Sequence, residues 1–299
     1  MVACLLGLGT NLGDREATLR TALEQIDALP NVRLVRQSEW HRSRPLGGPP
    51  DQGEFINAAA VIETTIPPLT LLAELQDIES RHGRQRAERW APRALDIDVL
   101  LYGNEVSETE MLTLPHPRMS FRRFVLQPAA EAAPKMLHPV IGWTVERLLL
   151  HLNAASDQAA ILSPSESLRR DVAARLKESF GAESMDRPQF ATADRLWPPA
   201  VTTWLDMRPR SRGNVPAPIR RAGLPYAAAA FPKLTILLDA TPQARGAVKS
   251  QWSAIVRQPG RGPTLRLQII EDAAIQEEVF AAIESVWPDL GPASVNRLQ

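Results

Sequence analysis

Apolar positions in the first half of the chain follow two periods. Residues 3–8 form a short apolar run that predicts a strand. The turn-forming stretch Gly9-Thr10-Asn11-Leu12-Gly13-Asp14 follows, with Asp14 placed to cap a helix. Leu19, Leu23, Ile26 and Leu29 recur at helical spacing and predict a helix over 15–29. Residues 32–40 predict a second strand. Residues 41–54 hold three prolines and three glycines and read as a long loop. A third strand is expected over 55–64. Pro67 and Pro68 open a helix over 69–82, and 95–102 forms a fourth strand. Pro115-His116-Pro117 begins a loop, with a short helix near 121–131. The order β-α-β-β-α-β predicts an α+β fold, a ferredoxin-like antiparallel sheet with helices packed on one face.

The pattern changes after residue 155, where continuous apolar runs thin out and prolines gather over 181–233. Around them lie α/β pieces: a strand at 159–162, a helix near 166–180, a strand at 234–239, a helix near 242–256, a strand at 264–269 and a final helix near 273–287. We therefore expect two domains, 1–155 and 156–299, the second an α/β domain.

Composition narrows the function classes. The 34 basic and 34 acidic side chains cancel, which argues against a general nucleic-acid surface. One cysteine, Cys4, excludes an intrachain disulfide and disfavours a structural zinc site. The N-terminus lacks a basic start and a long apolar run, and no stretch approaches membrane-spanning length. A soluble cytoplasmic protein that binds neither nucleic acid nor membrane is the expectation.

Against this neutral background one run is dense in charge: Gly83-Arg84-Gln85-Arg86-Ala87-Glu88-Arg89-Trp90-Ala91-Pro92-Arg93-Ala94-Leu95-Asp96-Ile97-Asp98. A strand alternates faces, so Asp96 and Asp98 point to one side and Ile97 and Val99 to the other. Two carboxylates on one face are costly unless a cation lies between them. Four arginines and a tryptophan upstream, bounded by glycine and proline, suit a loop that closes on phosphates. A magnesium–nucleotide site follows; solvated edge-strand aspartates are the plainer alternative.

With Arg44-Pro45-Leu46-Gly47, Phe55-Ile56-Asn57-Ala58-Ala59 and Leu114-Pro115-His116-Pro117, these runs resemble, in order and spacing, the 6-hydroxymethyl-7,8-dihydropterin pyrophosphokinases. The resemblance covers residues 3–150. It implies a ferredoxin-like fold and transfer of pyrophosphate from ATP to a reduced pterin, releasing AMP, in folate biosynthesis. By the same resemblance Asp96 and Asp98 hold two Mg2+ ions, and Arg84 and Arg93 contact phosphate as catalytic residues. Gln76, Glu79, Arg89, Trp90, His116 and Arg122 serve ATP. The pterin is flanked by Phe55 and Phe124, with Asn57 at its edge and Ser43, Pro45 and Leu46 in the adjoining loop. The arginine-rich run is one residue shorter than the family pattern.

The second half weakly resembles the distal part of deoxynucleoside-kinase-like P-loop domains, through Leu234-Thr235-Ile236-Leu237-Leu238-Asp239 and Gly260-Arg261-Gly262-Pro263. The lysines, Lys135, Lys177, Lys233 and Lys249, do not follow the glycine loop such a domain needs. Ala160-Ile161-Leu162-Ser163-Pro164-Ser165 stands where strand and loop belong. A degenerate, non-catalytic module is expected, with homodimerisation through it as one role. Two alternatives stand beside the leading reading: a non-catalytic nucleotide- or pterin-binding paralogue, and a bifunctional enzyme with a nucleoside-kinase-like second domain.

Overall fold

The structure is a computed structural model that describes residues 1–45, 52–83, 93–186, 188, 197–207, 231–239, 262–268 and 272–287. The chain divides into two compact units, Met1–Leu149 and Leu150–Gln299.

In the first unit the elements run β1 (Val2–Thr10), α1 (Arg15–Asp27), β2 (Val32–Gln37), β3 (His41–Ser43), β4 (Phe55–Thr64), α2 (Pro68–Arg81) and β5 (Asp96–Tyr102). Two short hairpins flank α3 (Arg123–Ala132): β6 (Ser107–Glu108) with β7 (Thr113–Leu114), and β8 (Leu137–His138) with β9 (Trp143–Thr144). Helix α4 (Val145–Ala154) crosses the boundary of the unit. The main sheet is antiparallel, in the order β2-β4-β1-β5, with β3 also paired to β4.

Local chemistry explains the element ends. Asp14 caps α1, its Oδ1 accepting the Ala17 N–H at 3.1 Å. Pro68 opens α2, where its missing N–H costs nothing. Gly83 follows α2 at φ +82, a conformation that side-chain-bearing residues rarely adopt.

Alternation along β1 divides the sheet into two faces. Cys4, Leu6 and Leu8 share a core with Ile56, Ala58, Ala60 and Ile62 of β4 and Ile97 and Val99 of β5. Leu19, Leu23 and Ile26 of α1 and Leu71, Leu75 and Ile78 of α2 close that core. Each such leucine or isoleucine adds roughly 1.5–3 kcal/mol by leaving water. The opposite face carries Gly7, Gly9, Asn57, Asp96 and Asp98, and it supports the site.

The sequence reading placed all helices on one face, and α3 departs from it. Glu131 Oε1 lies 2.9 Å from Nε2 of His41, which stands opposite Asn57, so α3 covers part of the second face. The second strand also ends earlier than expected. A register shift between Leu34 and Arg36 twists it, and Ser38 then takes over pairing: its N–H donates to Ala59 O and its Oγ accepts the Ala59 N–H, both at 2.9 Å. The chain turns there and re-enters the sheet as β3, inside the expected 41–54 loop.

The second unit has a five-stranded sheet in the order β11-β12-β10-β13-β14, built from β10 (Gln158–Leu162), β11 (Glu183–Met185), β12 (Thr202–Asp206), β13 (Leu234–Asp239) and β14 (Thr264–Gln268). Strands β10, β13 and β14 are parallel, and β12 pairs antiparallel to β10 and β11. Helix α5 (Glu166–Phe180) starts on a Ser165 cap and ends on Gly181, and α6 spans Asp272–Val286. The helix expected near 242–256 lies outside the described residues. No described helix is long and apolar enough to cross a membrane.

His138 is 6% exposed, its Nδ1 accepts the Ile141 N–H at 3.3 Å, and burial lowers its pKa to about 4. Below pH 6.5 the unfolded chain takes up a proton that the folded one refuses, so stability is lost as pH falls from 6.5 toward 4. The loss approaches ~3 kcal/mol. His138→Asn keeps an acceptor without the titration. Its thermal midpoint should therefore fall less than the parent's between pH 7 and pH 4.5, as read by circular dichroism.

Candidate functional site

The site is assembled by strand register. Gly9 of β1 stands opposite Asn57 on β4 and Asp96 on β5, and His41 on β3 stands opposite Asn57. Directly opposed residues in antiparallel strands share a face, so His41, Asn57, Gly9 and Asp96 form one row across four strands. Asn57 and Asp96 are two strand spacings apart, about 10 Å. Gly7 repeats the arrangement one step along, opposite Ala59 and Asp98.

Glycine at position 9 keeps the middle of the row open. A Cβ there would lie 3.4 Å from Asn57 Oδ1 and 3.9 Å from the Phe55 ring. The Asn57 amide is already oriented: its Nδ2 donates to Ser43 Oγ at 2.8 Å and to His41 O at 3.3 Å, so its oxygen is turned toward Gly9. Phe55, Ser43, Pro45 and Phe124 are half-buried, and the Arg122 guanidinium lies 5.6 Å from the Phe124 ring centroid.

At the other end of the row, Arg93 forms an ion pair with Asp96. Arg93 is held by Asn11, a residue to which the sequence assigned no role. Asn11 Oδ1 accepts the Arg93 N–H at 2.8 Å, and the Asn11 N–H donates to Arg93 O at 3.2 Å. Asn11 Nδ2 also donates to Gln52 Oε1 at 3.2 Å, joining the end of the loop before β4 to the residue that follows the arginine-rich run. The only hint in the sequence was the position of Asn11 in the turn after the first strand.

The β5 edge carries a further cluster. The β1–β5 register shifts between Leu5 and Leu6, leaving Leu100 as the extra residue, and Leu100 O accepts the His116 N–H at 2.9 Å. This anchors the loop after the cis Leu114–Pro115 bond beside the aspartates. His116 Nδ1 accepts the Arg118 N–H at 3.2 Å, which puts the ring proton on Nε2, 3.8 Å from Asp98 Oδ2. Burial, then the charges of Arg122 and Arg118, pushes His116 down to about 3, so the ring is neutral at physiological pH. Burial, then the like charge of Arg118, lowers Arg122 to about 10, which leaves it charged. Arg118 is a second residue that sequence reasoning missed.

Glu79 and Gln76 differ in placement. Gln76 is half-exposed on α2. Glu79 is 2% exposed, and its Oε1 accepts the Ile97 N–H at 2.7 Å, between the two aspartates in sequence. That bond ties α2 to β5 between Asp96 and Asp98. Leu46, Arg84, Arg86, Arg89 and Trp90 lie outside the described residues.

Arg93, Arg118 and Arg122 surround Asp96 and Asp98, a balance suited to a polyanion accompanied by a cation. Beside it lies an open slot with aromatic and amide groups. That combination suits a group-transferring enzyme of the kinase type. A family model for 7,8-dihydro-6-hydroxymethylpterin-pyrophosphokinase matches residues 5–134. The 2-amino-4-hydroxy-6-hydroxymethyldihydropteridine pyrophosphokinase of Haemophilus influenzae is 46% identical over 139 residues, 46% of this chain and 86% of the relative. The enzyme of the same name from Methylorubrum extorquens is 44% identical over 154 residues, 51% of this chain and 95% of the relative. A solved HPPK-DHPS structure in complex with substrates aligns with TM-score 0.40 and 13% identity, over 50% of this chain and 43% of that one. The chain belongs to the 7,8-dihydro-6-hydroxymethylpterin-pyrophosphokinase family.

Asn11→Ala removes both side-chain bonds that fix Arg93 and Gln52. Steady-state AMP release should show kcat/KM reduced about tenfold, because small misplacements of phosphate-facing groups are costly in rate. The thermal midpoint should change little.

Proposed function

We propose that the face built on β1, β4 and β5 binds both substrates of the family's reaction, pterin over Gly9 and ATP polyphosphate over Asp96 and Asp98. The chain transfers pyrophosphate from ATP to the hydroxymethyl group of 6-hydroxymethyl-7,8-dihydropterin, giving AMP and the pterin diphosphate. The observation that carries the site assignment is the row His41–Asn57–Gly9–Asp96, which sets an amide edge and a carboxylate about 10 Å apart on one floor. Asn57 Oδ1 accepts hydrogen bonds from the amino edge of the pterin, since its Nδ2 is engaged by Ser43 and His41. Phe55 and Phe124 flank the ring, with Pro45 and Leu46 beside it. The antiparallel order β2-β4-β1-β5, with α1 following β1 and α2 joining β4 to β5, supports a ferredoxin-like description of this domain, with β3 as an added short strand.

The donor set suits magnesium. Asp96 and Asp98 are hard carboxylates on one face, two protein ligands rather than a full cage. That fits a cation whose remaining ligands are phosphate oxygens and water, as magnesium prefers. Two ions would be held, and when bound they would neutralise phosphate charge. Arg84, Arg93 and Arg122 add fixed positive charge near the moving group, with Arg89, Trp90 and Gln76 on the nucleotide. Neutral His116 offers its Nε2–H to a phosphate oxygen and takes no part in acid–base chemistry near pH 7. The chain itself supplies no nucleophile: the pterin hydroxyl attacks once it is aligned, so the chain contributes alignment and electrostatics.

Residues 156–299 are read as a second domain of degenerate nucleoside-kinase-like character. Only Ser163, Pro164 and Ser165 separate β10 from α5, and the Arg169 guanidinium donates to the carbonyls of Ser163 and Ala200. An arginine there fills space that a phosphate-binding glycine loop would leave open.

Asp98→Ala should lower kcat at saturating magnesium at least a hundredfold, with an unchanged circular dichroism spectrum. Parent-like turnover in that variant would refute the assignment. Gly9→Val should act on the other substrate. It fills the floor beside Asn57 and Phe55, so the KM for pterin should rise about tenfold or more while ATP affinity, measured by calorimetry, stays within about twofold.

A further inference from the structure

Two facts about Arg93 bear on each other. Its guanidinium is paired with Asp96, a proposed metal ligand, while its backbone N–H and C=O are both bound to Asn11. Asn11 is 6% exposed and directly follows β1. The backbone of Arg93 is therefore fixed, whereas its side chain is 39% exposed and has room to turn. Asp96 is a partner that a cation must share. A carboxylate oxygen engaged by a guanidinium is a poorer ligand for a divalent ion, because the ion must either displace it or bind beside a like charge. Arg118 and Arg122 keep the surroundings positive, which makes a third cation on the aspartates harder to add.

We propose that Arg93 is a tethered counter-ion that exchanges partners: it neutralises Asp96 in the ligand-free protein and gives up that carboxylate when a divalent cation binds. This rests on the metal reading of Asp96 and Asp98 given above. The released guanidinium then turns about its own side-chain bonds, from a backbone that does not move, and becomes available to a phosphate oxygen. Arg93 thus ties phosphate capture to metal binding. Without metal it is spent on Asp96, and with metal it is free for the nucleotide. The device needs no loop movement, because Asn11 holds the pivot.

The test is a manganese titration of the full chain without nucleotide or pterin, with free Mn2+ read by electron paramagnetic resonance. Arg93→Ala removes the competing cation and should bind Mn2+ about three- to tenfold more tightly than the parent, the scale of one partly buried ion pair. Arg93→Gln, which keeps most of the side-chain volume, should behave the same way and guards against a packing defect in the alanine variant. The double variant Asp96→Asn with Asp98→Asn should lose this binding. If both Arg93 variants bind Mn2+ as well as or less well than the parent while the double aspartate variant loses it, the exchange is overturned and the metal site stands. If the double variant binds as the parent does, the metal reading fails and takes the exchange with it.

Discussion

Strand register is the constraint on which the rest of the molecule depends. Strand β1 lies between β4 and β5 and sets both pairings at once, so Gly9 faces Asn57 on one side and Asp96 on the other. Side chains on a strand alternate with period two. A slip of one residue would turn Asp96, Asp98 and Asn57 into the leucine-rich core and bring Ile97 and Ile56 to the surface. Burying two carboxylates without partners costs far more than one hydrophobic contact gains. The core on one face therefore fixes the chemistry on the other: Leu6, Leu8, Ile97 and Val99 cannot stay buried without aligning the polar row above them.

Around that row the fold spends its hydrogen bonds on orientation. Ser43 and His41 aim the Asn57 amide, Asn11 fixes Arg93, and the extra residue Leu100 presents a carbonyl to His116. These contacts are made by backbone or by short side chains, which lose little rotational freedom when held. The arginines are the flexible groups beside the row, and Arg93 reaches Asp96 from its fixed backbone. Electrostatics follows the same division. His116 is kept neutral by burial and by Arg122 and Arg118, so positive charge near the aspartates comes from guanidinium groups, whose charge does not vary near neutral pH.

Much of this was legible in the sequence because apolar period and charge spacing are local signals. The strand and helix order of the first unit, the shared face of Asp96 and Asp98, the cap at Asp14 and the helix start at Pro68 all followed from short windows. What escaped depended on distance along the chain. Asn11 acts on Arg93, 82 residues away, and on Gln52, 41 residues away, and nothing in a turn motif announces such partners. Strand β3 was hidden because its pairing depends on Asn57 rather than on its own composition. The placement of α3 on the second face turned on Glu131 meeting His41. In the second unit, Arg169 donates to the carbonyls of Ser163 and Ala200, a contact between distant residues that the sequence pattern does not announce.

Glu79 carries a consequence for how substitutions at this site are interpreted. Its carboxylate is buried and bonds the backbone between Asp96 and Asp98, so its influence on those two residues runs through the main chain. It is closer to a girder than to a ligand. A change there would loosen the backbone between two carboxylates at once, and its effect would resemble the loss of either one. Lost activity at a position is thus a poor guide to contact in this protein. The sheet is thin enough that its buried side can speak through its exposed one.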